Sequence, residues 1–527
     1  MFQVVWLKRD LRLFDHEPLV RACLAGQVLL LYVFEPLITQ HPEMSKRHEQ
    51  FIRESLIDIE ERLPAIGGQI RYAVGDILEV LEDLSRRFGA FSLWSHQETG
   101  SPHTYQRDRD VKAWMNLRGL SWIESPTSGI ARGKTPLPLT QWRLQWEQFM
   151  NLPLRPSPAQ IKPPQWIMEF VEKNESAKSS HVAWYARVSD VPFQTIHGSM
   201  IQKGQLGGEK LAWAFMQSFT DHRYRTYAYN LSKPQESQRS CSRLSPYLAY
   251  GNLSLRTVLQ TAQEYQDESI AREQHSWKIF GERLRWRDAN VQKFESQPEL
   301  AIISADARLD ASRVHHEAQY QRWLTGKTGY PLVDACMRQL HHTGWLHFRG
   351  RCLVVSFVTQ TLWMDWRRPA TDLAQLFLDF EPGIHYPQIQ MQASTIQAIR
   401  GTEIQHMRIY NPLKQALEHD PNGAFVKTWI PELRHLSAPA IFEPWNHPDG
   451  LTHGYPAPMV EAEAANQRAR KQVYESFIDP TTTATTRTLP PLELPKKRKG
   501  SHERTDKKRV AEAQDEDQLS FTFGDDV

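Results

Sequence analysis

The chain reads as two fold classes in series: an N-terminal doubly wound parallel α/β domain, then a large all-α domain. Residues 1–130 alternate short apolar runs with amphipathic stretches, the repeat of strand and covering helix that builds a parallel sheet. Residues 206–478 carry apolar side chains at helical spacing instead. A chain of 527 residues also exceeds what one core ordinarily organises, so two or three units with tails are expected.

Taken in order, the first unit offers strands at 3–7, 28–34, 70–74, 92–96 and 121–124, with helices at 46–63 and 77–88 among the segments between. No GxGxxG follows the first strand, which argues against a dinucleotide-type site; ligands of such sheets lie beyond the carboxyl ends of the strands. Residues 131–205 are rich in Pro and Trp and lack clear periodicity, and read as a connection wrapping between domains. In the second unit Leu332, Ala335, Cys336 and Leu340 share one helix face, while 352–363 reads as apolar all round, like a central buried helix. Residues 479–527 run from TTTATTRTLPPLELP through PKKRKGSHERTDKKR to an acidic end, the composition of a disordered tail.

Composition excludes several classes. A net charge of +2 gives no whole-protein field, so a nucleic-acid surface must come from local clustering. The four cysteines are scattered without a CxxC pair, which argues against a disulfide framework, a zinc ribbon or an iron–sulfur cluster. The N-terminus is charged too early for a signal peptide, and no apolar run reaches membrane-spanning length. The expectation is a soluble cytoplasmic monomer, nucleoid-associated in a bacterium or nuclear in a eukaryote. Seventeen Trp are explained first as core and interface filling.

Chemistry concentrates between residues 329 and 408. This stretch opens GYPLVDACMRQLHHTGWLHFRGR, passes LWMDWRR and LFLDFEPGIHYPQIQMQAST, and closes on RIYNP. Arg351 and Asp379 are the polar pair expected to be buried there, because such a pair is costly and is retained where it organises a site.

These segments, with VVWLKRDLRLFDHEPL, SRLSPYLAYGNLS and DPNGAFVKTWIPEL, resemble the photolyase/cryptochrome family in order and spacing over residues 1–478. No single repair class is matched. The resemblance implies an α/β antenna domain and a helical domain holding FAD in a folded form. It implies either light-driven repair of ultraviolet lesions in DNA or blue-light reception.

By that resemblance Tyr227, Ser242, Arg243, Leu244 and Ser245 form the diphosphate grip, in hydroxyls and N–H groups near a helix start. Cys241 stands where Thr is usual. Trp345, Arg351, Asp379 and Glu381 line the flavin, with Arg351 placed to stabilise its reduced, negatively charged form. His385 replaces an Asn that faces flavin N5, and a His able to become cationic near neutral pH would make the flavin's redox state pH-sensitive. Of three Trp that relay electrons, only the middle one is matched, by Trp366. Ile389 and Arg313 take the other two places, leaving Tyr386 or Trp363 as substitutes.

Trp286 matches a residue that stacks beneath a flipped-out dimer. Met391 takes the place of a second stacking Trp, Arg283 that of a lesion-contacting acid, and Phe348 and Cys352 that of the His pair of (6-4) photolyases. Arg287 continues the pattern after Trp286. Lys327, Arg349, Arg400 and Arg408 are candidates for a basic DNA rim. Glu98 is a candidate antenna residue, for methenyltetrahydrofolate or another chromophore. In the tail, KKRK (496–499) reads as a nuclear signal or nucleic-acid arm, and QLSFTF (518–523) is similar to sliding-clamp peptides.

The leading function is an FAD-dependent, blue-light-driven DNA photolyase-like enzyme splitting pyrimidine dimers, with catalytic roles for Trp286, Trp366 and His385. The rival is a cryptochrome-type photoreceptor signalling to a partner through the tail. The third is a DNA-binding flavoprotein without photochemistry.

Overall fold

The computed structural model describes residues 1–133, 137–173, 182–396 and 409–477. Its sheet contains β1 (Phe2–Leu7), β2 (Val28–Phe34), β3 (Ile70–Val74), β4 (Phe91–His96), β5 (Trp122–Ser125) and β6 (Ala183–Tyr185), in the order β5-β4-β1-β2-β3-β6. Every residue of β1 is buried, because helices cover both faces, and this is why the strands read as continuous apolar runs. The helices Lys46–Arg62 and Ile77–Phe88 fall where the periodicity placed them.

The segment read as a plain connection holds more structure than its sequence suggests. Its β6 pairs antiparallel with β3, and the Trp184 indole N–H donates to Asp83 at 3.0 Å. Its helix Leu139–Met150 buries Trp142, Trp146 and Met150, spaced four residues apart.

Strands β1 and β4 are neighbours, yet the chain leaves β1 toward β2 on one side and continues from β4 to β5 on the other. That reversal opens a crevice beyond their carboxyl ends. A buried knot fills part of it. Asp10 holds His96 Nδ1 at 2.7 Å and His16 Nε2 at 3.0 Å, while its other oxygen accepts from the Lys8 N–H at 2.7 Å. His16 Nδ1 accepts from the Leu19 N–H, so its ring proton sits on Nε2 and faces the carboxylate.

In the helical domain, Ala271–Ser296 packs along Pro382–Gln392, and Pro331–Thr343 packs against Phe348–Ser356. The 352–363 region is buried but not apolar all round. It continues as a π-turn, Phe357–Thr361, and its Thr359, Gln360 and Thr361 side chains bond Val355, Gln392 and Asn466. Burial is tolerated there because most of those polar groups are paired, Gln360 Oε1 being the exception. Gly344, at φ +68°, ends the Pro331–Thr343 helix in the left-handed region and presents its carbonyl to Leu378 N at 2.8 Å.

The two domains meet at the C-terminal end of the Arg367–Leu376 helix, whose last carbonyls have no partner within the helix. Donors from the α/β domain supply partners. Ser45 Oγ bonds Gln375 O at 2.7 Å, Arg47 Nη1 bonds Leu376 O at 2.8 Å, His48 Nε2 bonds Phe377 O at 2.9 Å and Arg9 Nη2 bonds Phe380 O at 2.5 Å. Arg47 also reaches the Leu340 and His341 carbonyls, and its burial lowers its pKa to about 10, which leaves it charged at neutral pH. Among the described residues no helix is long and apolar enough to cross a membrane.

Replacing Arg47 with Met should leave several buried carbonyls unpaired. Urea unfolding is expected to show a loss of roughly 2–4 kcal/mol.

Candidate functional site

A cavity of about 310 Å³ opens in the helical domain between Ser245–Ala249, Ala271–Ser296, Phe348–Ser356 and Pro382–Gln392. It gathers most of the residues singled out from sequence. Tyr227, Ser242, Arg243, Leu244, Ser245, Arg283, Trp286, Arg287, Trp345, Arg351, Asp379, Glu381 and His385 all line it, as do Cys241, Phe348, Cys352 and Ile389.

One wall is the 241–245 segment. Arg243 adopts φ +61°, a bend that presents its guanidinium 4.1 Å from the centre of the Trp345 ring. Its Nε donates to Gln205 Oε1 at 3.1 Å, so its hydrogen-bond partner is neutral. Burial lowers its pKa to about 10, and it remains a cation in need of an anion. Gln205 was not singled out from sequence, and no motif marks it. Cys241 is pushed up to about 12 by burial, so the residue in the usual Thr position is a neutral thiol.

The lining also holds the Arg351–Asp379 pair, a two-pronged contact at 2.6 and 3.0 Å. The carboxylate is buried, with 4% of its side chain exposed, but the guanidinium is 31% exposed. The expectation that both partners are buried is therefore corrected: Asp379 anchors Arg351, and Arg351 faces the cavity. Glu381 is engaged elsewhere, with Arg287 at 3.0 Å and Arg9 at 3.7 Å, and Arg287 also bonds Asp288 at 2.9 Å. Both Glu381 and Arg287 thus border the cavity, and Glu381, through Arg9, also ties the two domains together.

His385 Nε2 lies 2.8 Å from the Ala370 carbonyl, which can only accept, so Nε2 carries the proton and Nδ1 is an acceptor. Burial lowers its pKa to about 4. The expected charge change near neutral pH is corrected: this imidazole is neutral there, because the fold strips its water and supplies no carboxylate hydrogen bond in exchange.

The third wall is aromatic and cationic. Trp286 and Phe348 meet edge to face at 6.5 Å, and the Arg283 guanidinium lies 4.5 Å from the Phe348 ring centre and 5.9 Å from that of Trp286. Met391 sits on the same helix as His385 but is not part of the lining, so it does not take up the place of a second stacking ring.

Trp366 is buried behind the cavity and donates to Ser304 Oγ at 2.8 Å. Arg313 bonds the Thr359 and Ala393 carbonyls and lies 3.9 Å from the Trp363 ring centre. Lys327 is exposed on the turn after the Glu317–Leu324 helix, and Arg349 bonds Ser232 at 3.3 Å; neither reaches the cavity. Arg400, Arg408 and the tail motifs at 496–499 and 518–523 lie outside the described residues.

Glu98 belongs to a second, smaller cavity of about 90 Å³ at the carboxyl end of the sheet. It is buried and pairs with Arg107 at 3.2 Å, and Arg107 also holds Glu35 at 2.9 Å. Desolvation raises Glu35 to about 7. Neither Glu35 nor Arg107 stood out in the sequence, where each is one charge in an amphipathic run.

The large cavity combines ring-sized aromatic and aliphatic walls with two cations, Arg243 and Arg351, in its lining. That is the donor set a flavin dinucleotide needs for its rings and its diphosphate, so these residues fit FAD.

Comparison with known proteins gives the same direction. Residues 3–133 match the family model described as DNA photolyase, and residues 280–475 match the FAD binding domain of DNA photolyase. A deoxyribodipyrimidine photo-lyase from Vibrio cholerae is 28% identical over 485 residues, covering 87% of this chain and 96% of its own length. A cryptochrome DASH from Gloeobacter violaceus is 27% identical over 501 residues, covering 90% and 96%. Among solved structures, a Synechocystis cryptochrome superposes with a TM-score of 0.74 at 24% identity, covering 89% of this chain and 98% of its own. An Agrobacterium tumefaciens class III photolyase gives 0.73 at 24% identity, covering 90% and 97%.

The protonation of His385 can be checked through stability. Its folded pKa of about 4 lies below the unfolded value near 6.5, so between these the unfolded state binds the extra proton and stability falls as pH falls. The His385→Asn variant should show a pH dependence of unfolding shallower by about one proton in that window, roughly 1.4 kcal/mol per pH unit. An unchanged slope would place the titration elsewhere.

Proposed function

Because the chain belongs to the DNA photolyase and cryptochrome family, we propose that it is an FAD-dependent photolyase that splits pyrimidine dimers in DNA under blue light. One observation carries the reading: a single cavity holds both the Arg351–Asp379 wall suited to a flavin and the Trp286–Arg283–Phe348 wall suited to an extruded base. FAD, when bound, supplies light-driven one-electron chemistry.

The protein's residues supply the rest. Arg351 places a fixed positive charge on the cavity wall, and Asp379 holds it there. Arg243 supplies a cation beside the 241–245 turn for the diphosphate. His385 offers Nδ1 as a hydrogen-bond acceptor without adding charge. Trp286 offers a ring to a base taken out of the stack, and Arg283 a donor and positive charge for its carbonyl oxygens. The apolar lining, including Leu284, Leu346 and Val355, keeps water from the reacting groups. Ultraviolet-damaged DNA is the partner, and Arg349, which follows Phe348, is a described basic residue beside this wall. Glu98 with Arg107 forms the candidate antenna contact.

A cryptochrome-type photoreceptor is the second reading. It is favoured by the position of Met391, which stands outside the cavity lining where a second stacking ring would help to grip a lesion.

The test is to incubate the reduced protein with oligonucleotides carrying a defined cyclobutane dimer or (6-4) product, in light and in darkness. Light-dependent loss of the cyclobutane dimer is expected. Trp286→Ala should weaken lesion binding about tenfold, given roughly 1–3 kcal/mol per stacked base. Loss of neither lesion, alongside a light-dependent change in the flavin spectrum, would favour the photoreceptor.

A further inference from the structure

Glu43 lies in the turn after the short helix Pro36–Thr39, is 6% exposed, and has its carboxylate held from two sides. Oε1 accepts from the Tyr386 phenol across the domain interface, and Oε2 accepts from Ser101 Oγ at 2.9 Å. Two imidazoles meet it there. His41 Nδ1 stands 3.3 Å from Oε2, and the His103 ring stacks on that of His41 at 4.0 Å and 22°. One ligand atom from each of the three residues lies within 4.8 Å of the other two.

The contact between His41 and Glu43 is loose for a hydrogen bond. In the Asp10 knot the matching distances are 2.7 and 3.0 Å. A separation of 3.3 Å is instead the edge of a tetrahedron whose centre lies about 2.0–2.1 Å from each corner, the distance of zinc from imidazole or carboxylate. The Glu43 backbone N–H also donates to His41 Nδ1, at 3.4 Å, so this nitrogen turns a lone pair toward the carboxylate. A single proton between them satisfies His41 and Glu43 but leaves His103 aside. Neither ring nitrogen of His103 has a hydrogen-bond partner among the described residues. Burial and the neighbouring His41 lower its pKa to about 4, so at neutral pH it too offers a lone pair.

The surroundings are those of a ligand set. The bonds from Tyr386 and Ser101 fix the carboxylate, as outer-shell partners do for a ligating Glu. The His41 side chain is 30% exposed and gives entry from solvent, while Glu43 and His103 line the small cavity at the end of the sheet. His103 comes from the helix Pro102–Leu117, so no short-spaced motif announces the cluster in the sequence. Two imidazoles and one carboxylate suit a divalent transition ion rather than calcium or magnesium, which take oxygen ligands.

We propose that His41, Glu43 and His103 bind one divalent transition-metal ion of the zinc type, with a fourth position left to water. The inference does not depend on the flavin or on DNA. Binding draws the His103 nitrogen inward by roughly 1 Å, a side-chain rotation, to reach bonding distance. The ion joins the 41–43 turn to the Pro102–Leu117 helix. Through Glu43 and Tyr386 it also bears on the Pro382–Gln392 helix, which carries His385 at the large cavity. The ion is thus a fastener of the domain interface.

The test strips full-length protein with a chelator and titrates it with Zn2+ by calorimetry, and with Co2+ by visible absorption. One ion per chain with micromolar or tighter affinity is expected, and Co2+ should give the strong bands of a four-coordinate site. Zn2+ should raise the melting temperature of the wild type but not of His103→Ala. His103→Ala removes a half-buried ring, and its metal-free circular dichroism shows whether it folds; it should bind Zn2+ at least tenfold more weakly. Glu43→Gln should do the same, and Tyr386→Phe should weaken binding about tenfold through the outer shell. A double variant, His435→Ala with His453→Ala, removes the other close pair of rings, at 4.3 Å, and should bind as wild type. No one-to-one binding, or undiminished binding by folded His103→Ala, would overturn the site. Loss of binding in the double variant would overturn it too, by placing the ion on that exposed pair.

Discussion

The carbonyl groups from Gln375 to Phe380 are the constraint on which both domains and the cavity depend. They end a helix in a buried place, where each would cost on the order of 1–3 kcal/mol if left without a partner. Their partners are Ser45, Arg47, His48 and Arg9, all in the other domain. On its opposite side the same turn carries Asp379, which fixes Arg351 at the cavity. The α/β domain therefore acts on the cofactor cavity mechanically, by clamping the backbone that presents its carboxylate.

The cavity is locally cationic in a chain whose net charge is +2. Arg243 has an amide as its hydrogen-bond partner and Arg283 lies against two aromatic rings, while Arg351 and Arg287 are held by carboxylates. The acids nearby are engaged at the interface, Glu381 with Arg9 and Arg287, Asp288 with Arg287 and the Trp146 indole. A field of that sign suits anionic guests, and summed composition hides it because charges cancel over the whole chain but not over one wall.

Much of this was legible in the sequence, for physical reasons. Strands β1 to β4, in a sheet covered on both faces, are largely buried and apolar, and those runs are hard to miss. Strand β6 was missed because a three-residue strand on an antiparallel edge carries no period. The residues around the cavity were legible through several motifs in register, which mark positions but not side-chain directions. Hence Arg351 was expected buried and faces space, Met391 was expected on the wall and is outside it, and His385 was expected to titrate near neutrality and does not. Glu43, Arg107 and Gln205 acquire roles only through contacts that the fold creates, such as Glu43 with Tyr386, 343 residues apart.

The clamp also has a history in time. Arg47 and its partner Leu376 O are separated by 329 residues, so during synthesis at about 5–20 residues per second the donors precede their acceptors by tens of seconds. For that interval Ser45, Arg47 and His48 are without those carbonyl partners. Only when the second domain arrives do hydrated side chains become buried fasteners.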